Sequence, residues 1–106
     1  MTVTEIVFLD EALEDLAIGQ QFYNQQQIGV GDYFIDSILS DIDSLFIYAG
    51  IHSTHFGYQR LLSKRFPFAI YYDTEQTTAR IIAILDMRQH PGSIRSSLLD
   101  RESRKL

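Results

Sequence analysis

From Thr78 to Met87 the chain reads Thr-Ala-Arg-Ile-Ile-Ala-Ile-Leu-Asp-Met, apolar at consecutive rather than alternate positions. A strand with one solvated face alternates apolar and polar residues; a strand that is apolar on both sides must have both faces covered. Such a segment belongs in the middle of a sheet. Its greasiest part, Ile81 to Leu85, is of strand length, far short of the roughly 20 residues needed to cross a bilayer.

The other elements can be placed around this strand. Thr2 to Leu9 reads as a strand, with Val3, Ile6, Val7, Phe8 and Leu9 apolar and largely β-favouring. Asp10 is placed to cap a following helix, with Glu11 and Glu14 in its first turn, where carboxylates favour the helix dipole. Leu13, Leu16, Ala17, Gln20 and Tyr23 fall on one face of it. Gln25-Gln26-Gln27 and Gly29-Val30-Gly31 mark its end. From Asp32 an amphipathic helix presents Phe34, Ile35, Ile38, Leu39, Ile42, Leu45 and Phe46 on one side, and Asp36, Ser40, Asp41 and Asp43 outward. Two helices joined by so short a turn form an αα-hairpin.

Residues 51–56 read as a loop, then Tyr58 to Ser63 and Phe68 to Asp73 as strands around Phe66-Pro67, with Thr74 to Thr77 connecting to the apolar strand. Pro91 closes that strand, and Ser93 is placed to cap a last short helix carrying Ile94, Leu98 and Leu99. Its default position is docked on its own sheet, with Ser103 to Leu106 frayed. The order β-α-α-β-β-β predicts an α+β fold, a helical hairpin on a mainly antiparallel sheet. A chain of 106 residues is one domain, 1–106, because smaller pieces could not bury a core.

Charge is distributed very unevenly. Residues 1–50 hold nine acids and no Lys or Arg; residues 51–106 hold nine Lys and Arg against five acids, so the halves carry −9 and +4. Either the acids decorate solvated helix faces, or the basic half meets an acidic partner while the acidic half repels nucleic acid. With no cysteine, disulfides and thiolate zinc sites are excluded. The start, Met1-Thr-Val-Thr-Glu5, lacks the features of a signal peptide, so a cytoplasmic location without membrane contact is expected.

Several stretches together resemble the ParE/RelE toxin superfamily. In the helical half they are Asp10-Glu-Ala-Leu-Glu-Asp-Leu16, Phe22-Tyr23, and Gly29-Val-Gly31 with Phe34. In the sheet half they are Gly57-Tyr-Gln-Arg60, Arg65-Phe-Pro-Phe-Ala-Ile-Tyr-Tyr72 and Arg80-Ile-Ile-Ala-Ile-Leu-Asp-Met-Arg-Gln-His-Pro91. The resemblance covers roughly Val3 to Arg101, and its specificity lies in the order and spacing of these motifs. It implies the toxin of a type II toxin–antitoxin pair, of the kind linked to plasmid stabilisation and growth arrest. The implied partner is a cognate antitoxin that folds on binding and through which the toxin oligomerises.

The family divides chemically. RelE-like members cut messenger RNA on the ribosome with arginines, lysines and often a tyrosine, since the pentavalent phosphate needs cations and a group to move protons. ParE-like members lack that constellation and inhibit DNA gyrase by binding it. Here the strand position of one RelE-type arginine falls on Ala69, the second can be matched to Arg88, and no tyrosine lies near Ile94. The acidic pI of about 4.9 also runs against phosphate binding. The resemblance therefore implies a ParE-like binder of gyrase. The alternatives are a ribosome-dependent nuclease using Arg60, Lys64, Arg65, Arg88 and His90, or an inactive relic that only binds a partner.

The target-binding candidates are Arg60, Arg65, Arg88, Arg95 and Arg101, from the sheet and the basic C-terminal helix. Arg60 and Arg88, if they share a face, make a cationic patch able to grip a carboxylate or phosphate; otherwise they form surface ion pairs. Asp86 is positioned to pair with either. His90 can be a general acid or base but lacks an identifiable partner. His52 and His55 are two imidazoles without a third ligand, so no metal and no cofactor is expected.

Overall fold

The apolar strand lies inside the sheet with a helical layer on each side, as its pattern requires. The computed structural model describes residues 2–102; Ser103 to Leu106, including Arg104 and Lys105, lie outside them. The elements are β1 (Glu5–Phe8), α1 (Asp10–Gln26), α2 (Val30–Asp43), α3 (Leu45–Tyr48), β2 (Thr54–His55), β3 (Tyr58–Leu62), β4 (Phe68–Glu75), β5 (Thr78–Asp86) and α4 (Pro91–Glu102). The sheet order is β1-β5-β4-β3-β2, with β1 parallel to β5 and the other pairs antiparallel. This is the expected α+β arrangement, to which the short edge strand β2 is an addition.

Two cores flank the sheet. On one face Phe34, Ile38 and Ile42 of the α1–α2 hairpin, with Leu45 of α3, are buried against Phe68, Ile70, Tyr72, Ile81 and Ile84. On the other, Ile94 and Leu98 of α4 pack over Tyr71, Ile82, Ala83 and Leu85. Burying side chains of this size contributes about 1.5–3 kcal/mol each. Tyr23, Phe34, Phe66 and Phe68 cluster with ring centroids 4.8 to 6.2 Å apart, pinning the β3–β4 connection to the hairpin.

Several local expectations are corrected. Leu9, not Asp10, holds the α1 cap position and makes no side-chain cap bond; Asp10 is the first helical residue. The buried stripe of α1 is Ala12, Asp15, Leu16 and Gly19, while Leu13 and Ala17 are exposed. Small residues there let α2 approach closely. Of the two loop glycines only Gly29 turns the chain, at φ 94°. Gly31 lies within α2, where an added Cβ would sit 2.3 Å from the carbonyl oxygen of Gln20. Asp41, expected outward, is buried and accepts a hydrogen bond from the Lys64 backbone N–H at 3.3 Å. Helix α4 starts at Pro91 rather than after Ser93, consistent with proline at a first helical position.

Candidate functional site

Strand β5 is longer than the neighbour that should cover it. β1 pairs only with Thr78 to Ile81, whereas β5 continues to Asp86. Leu9 N–H still reaches the Ile81 carbonyl at 3.0 Å. Beyond it the open edge is met by side chains. The Asp15 carboxylate of α1 accepts the Ile84 N–H at 2.9 Å, and the Arg101 guanidinium of α4 donates to the Ile82 carbonyl at 3.2 Å. Asp15 and Arg101 are joined by two hydrogen bonds, and their side chains are only 8% and 13% exposed. Its hydrogen bonds to Asp15 hold the Arg101 guanidinium above its ordinary pKa range, against the opposing effect of burial. A buried ion pair thus replaces a strand and ties α1, β5 and α4 together.

Next to this pair lies a groove of about 340 Å³, open to solvent. Its floor is Phe68, Ile84 and Leu85; its walls are Ile18, Gly19 and Phe22 of α1 and Ser97 of α4. Ile18 and Phe22 are 66% and 45% exposed, so large apolar side chains on its rim face water. The groove can hold an apolar segment of a protein partner, since its apolar rim faces water.

The expected arginines are dispersed. Arg60 on β3 lies opposite Tyr71 of β4, on the face that α4 packs against. Its Nε is buried and makes no hydrogen bond, while the guanidinium partly offsets the upward push of burial on the Tyr71 hydroxyl. Arg88 turns back onto Asp86, with bonds of 2.7 to 3.2 Å, and reaches the hydroxyl of Tyr23 on the hairpin side. That pairing raises the Arg88 pKa and holds the Asp86 carboxyl below its usual range. Arg60 and Arg88 therefore do not share a patch. Arg80 pairs with Asp73 at 2.8 Å and Glu75 at 3.1 Å. Lys64 and Arg65 are exposed on the β3–β4 connection, and Arg95 is exposed on α4.

The histidines take fold positions. His90 Nδ1 accepts the Gly92 N–H at 2.9 Å and its carbonyl the Ser93 N–H at 2.9 Å, closing the start of α4. His52 Nδ1 meets the buried Tyr72 hydroxyl, which also accepts the Gly50 N–H at 3.1 Å and donates to Gln59 Oε1 at 3.1 Å. The hydroxyl has one proton, given to Gln59, so His52 carries its proton on Nδ1 and donates. Burial lowers the His52 pKa and raises that of Tyr72. His55 bonds Ser53 Oγ at 3.0 Å.

Sequence reasoning treated Asp15 only as one more acid and Arg101 as a free cation. The signal for their role was the carboxylate placed among Ala12, Leu16 and Gly19, residues that share the buried stripe.

No family model matches the sequence, and no curated protein does. Among solved structures, a chain of the chromosomal ParDE toxin–antitoxin system from P. aeruginosa superposes with a TM-score of 0.71 at 17% identity. The match covers 79% of this chain and 96% of that one. At this identity the likeness is one of fold, and it is the fold that the ParE/RelE resemblance implies.

Proposed function

We propose that this chain is the toxin of a type II toxin–antitoxin pair, ParE-like, blocking a protein target by binding rather than cutting RNA. The observation that carries the reading is the fold shared with a ParDE chain over 79% of the sequence. Two features support the non-nuclease branch. The arginines lie on different faces and three of them are held by Asp73, Asp86 and Asp15, so among the described residues no cation cluster surrounds one point where a phosphate would sit. The net charge of −5 also disfavours a polyanionic substrate.

The neutralising antitoxin docks in the groove between α1 and α4, laying apolar side chains on Ile18 and Phe22 beside the open β5 edge. DNA gyrase is the target that the resemblance implies, and Arg60, Arg65, Arg88 and Arg95 are the charges offered to it. On this reading expression of the chain alone is expected to arrest growth, and the purified chain to inhibit supercoiling by gyrase. Undisturbed supercoiling at toxin excess excludes the gyrase target. The unpartnered Arg60 Nε beside the Tyr71 hydroxyl favours one second reading, a ribosome-dependent nuclease. Codon-positioned cuts in ribosome-bound message, found by primer extension and lost in Arg60→Ala, would establish that reading instead.

A further inference from the structure

A second surface stands apart from the α1–α4 groove. Among the described residues β1 pairs only with β5, and no described strand lies beside its outer edge. Edge strands are commonly blunted by shortness, charge, proline or a bulge; Glu5-Ile6-Val7-Phe8 is short and carries a charge at Glu5, but Ile6 to Phe8 hold no charge, proline or bulge. Alongside lies a groove of about 340 Å³ lined by Ile6, Phe8, Leu39, Ile42, Asp43 and Phe46. Leu39 and Phe46 are 38% and 43% exposed.

The charges here are not explained by folding. The last turn of α2 has carboxylates and no cation, a sign that opposes the helix dipole. Asp41 is compensated inside the fold by the Lys64 N–H. Asp43 is exposed, with no hydrogen bond or ion pair among the described residues. Asp36, Leu39 and Asp43 follow one another three and four positions apart, so acid and apolar side chains alternate down one stripe of α2, and Phe46 of α3 lines the same groove.

We propose that the β1 edge and this stripe form a docking surface for a basic segment of a partner protein. The segment adds to β1 as a further strand, its apolar side chains entering the groove and its Lys or Arg meeting Asp43 and Asp36. A second copy of this chain is the poorer fit. It would set acids against acids, since residues 1–50 contain no cation. The inference rests on edge geometry and charge, and does not depend on the toxin reading.

The test is an amide NMR titration of the full chain with two blocked peptides of about seven residues, a strand length. In one, Thr alternates with Leu and Lys; in the other, Glu replaces Lys. The Lys peptide shifts the amides of Ile6, Phe8, Leu39 and Phe46, and binds at least about fivefold more tightly than the Glu peptide. Asp36→Lys with Asp43→Lys inverts that preference. Should the double variant fail to fold, the salt dependence of the wild-type titration gives the same answer, the Lys peptide weakening as salt rises. Equal binding of both peptides, no shift with either, shifts confined to Ile18, Phe22 and Ile84, or dimerisation through β1 without peptide would each overturn the proposal.

Discussion

Replacing Arg101 by Met keeps most of the aliphatic stem packed under α4 but removes the guanidinium from Asp15. The carboxylate is then left with the Ile84 N–H as its hydrogen-bond donor in a site where its side chain is 8% exposed. Breaking a buried pair by removing one partner costs about 3–5 kcal/mol, because the remaining charge stays desolvated. A cost near 3 kcal/mol is expected here, because the adjoining groove admits water. For a domain of this size that lowers the melting temperature by roughly 12–24 °C. Asp15→Leu is expected to cost a similar amount, since it strands the guanidinium and the Ile84 N–H. The double variant leaves no buried charge, so its cost should stay close to that of either single change. The coupling is then about 2–3 kcal/mol. Urea unfolding followed by circular dichroism measures all three, and amide exchange at Ile84 should accelerate in both Asp15 variants. Additive costs, or an Arg101→Met penalty below about 1 kcal/mol, would refute the view that this pair closes the β5 edge.

Gly31→Ala forces a Cβ against the Gln20 carbonyl at 2.3 Å and should cost about 2–3 kcal/mol in thermal unfolding as the helices separate. Burial lowers the His52 pKa, so the fold prefers the neutral ring. The stability tied to it is present above the unfolded value of about 6.5. It is lost as pH falls through the lower folded value, and His52→Gln should flatten the urea midpoint between neutral and mildly acidic pH. Ile18→Asp with Phe22→Asp alters exposed side chains and should change stability by less than about 1 kcal/mol. It should nevertheless abolish rescue of growth by a co-expressed antitoxin; unaltered rescue would move the antitoxin to another surface.

Much of the fold could be read in the chain because periodicity follows burial. The consecutive apolar residues of β5 announce two covered faces, and the spacing of Phe34, Ile38 and Ile42 announces the inner face of α2; Leu45 is buried as expected but belongs to α3, beyond a break at Ser44. Where burial was purchased by something other than apolar area, the reading slipped. The inner stripe of α1 has one large apolar side chain, Leu16, which the helical spacing does place; Ala12, Asp15 and Gly19 beside it serve close approach and one carboxylate, and the larger Leu13 is exposed. Asp41 was read as outward because its partner, a backbone N–H at Lys64, leaves no trace in residue type. The candidate cations fall on β3, on the β3–β4 connection, after β5 and on α4. Their separation was hidden, because which acid captures each arginine depends on contacts such as Asp15 to Arg101, 86 positions apart.

Within β5, Tyr71 pairs with Ala83 and Tyr72 with Ile81, leaving Ile82 unopposed. Ahead of this irregularity Ala79 and Ile81 face the hairpin; after it Ile82, Ala83 and Leu85 face α4 and Ile84 turns back to the hairpin. The surplus residue therefore sets two consecutive side chains, Ile82 and Ala83, under α4 without changing the layer of anything downstream. Deleting Ile82 would even out the ladder and leave Ile84 and Asp86 where they are, while removing one large apolar side chain from beneath α4. The bulge is thus a means of thickening one core without disturbing the other.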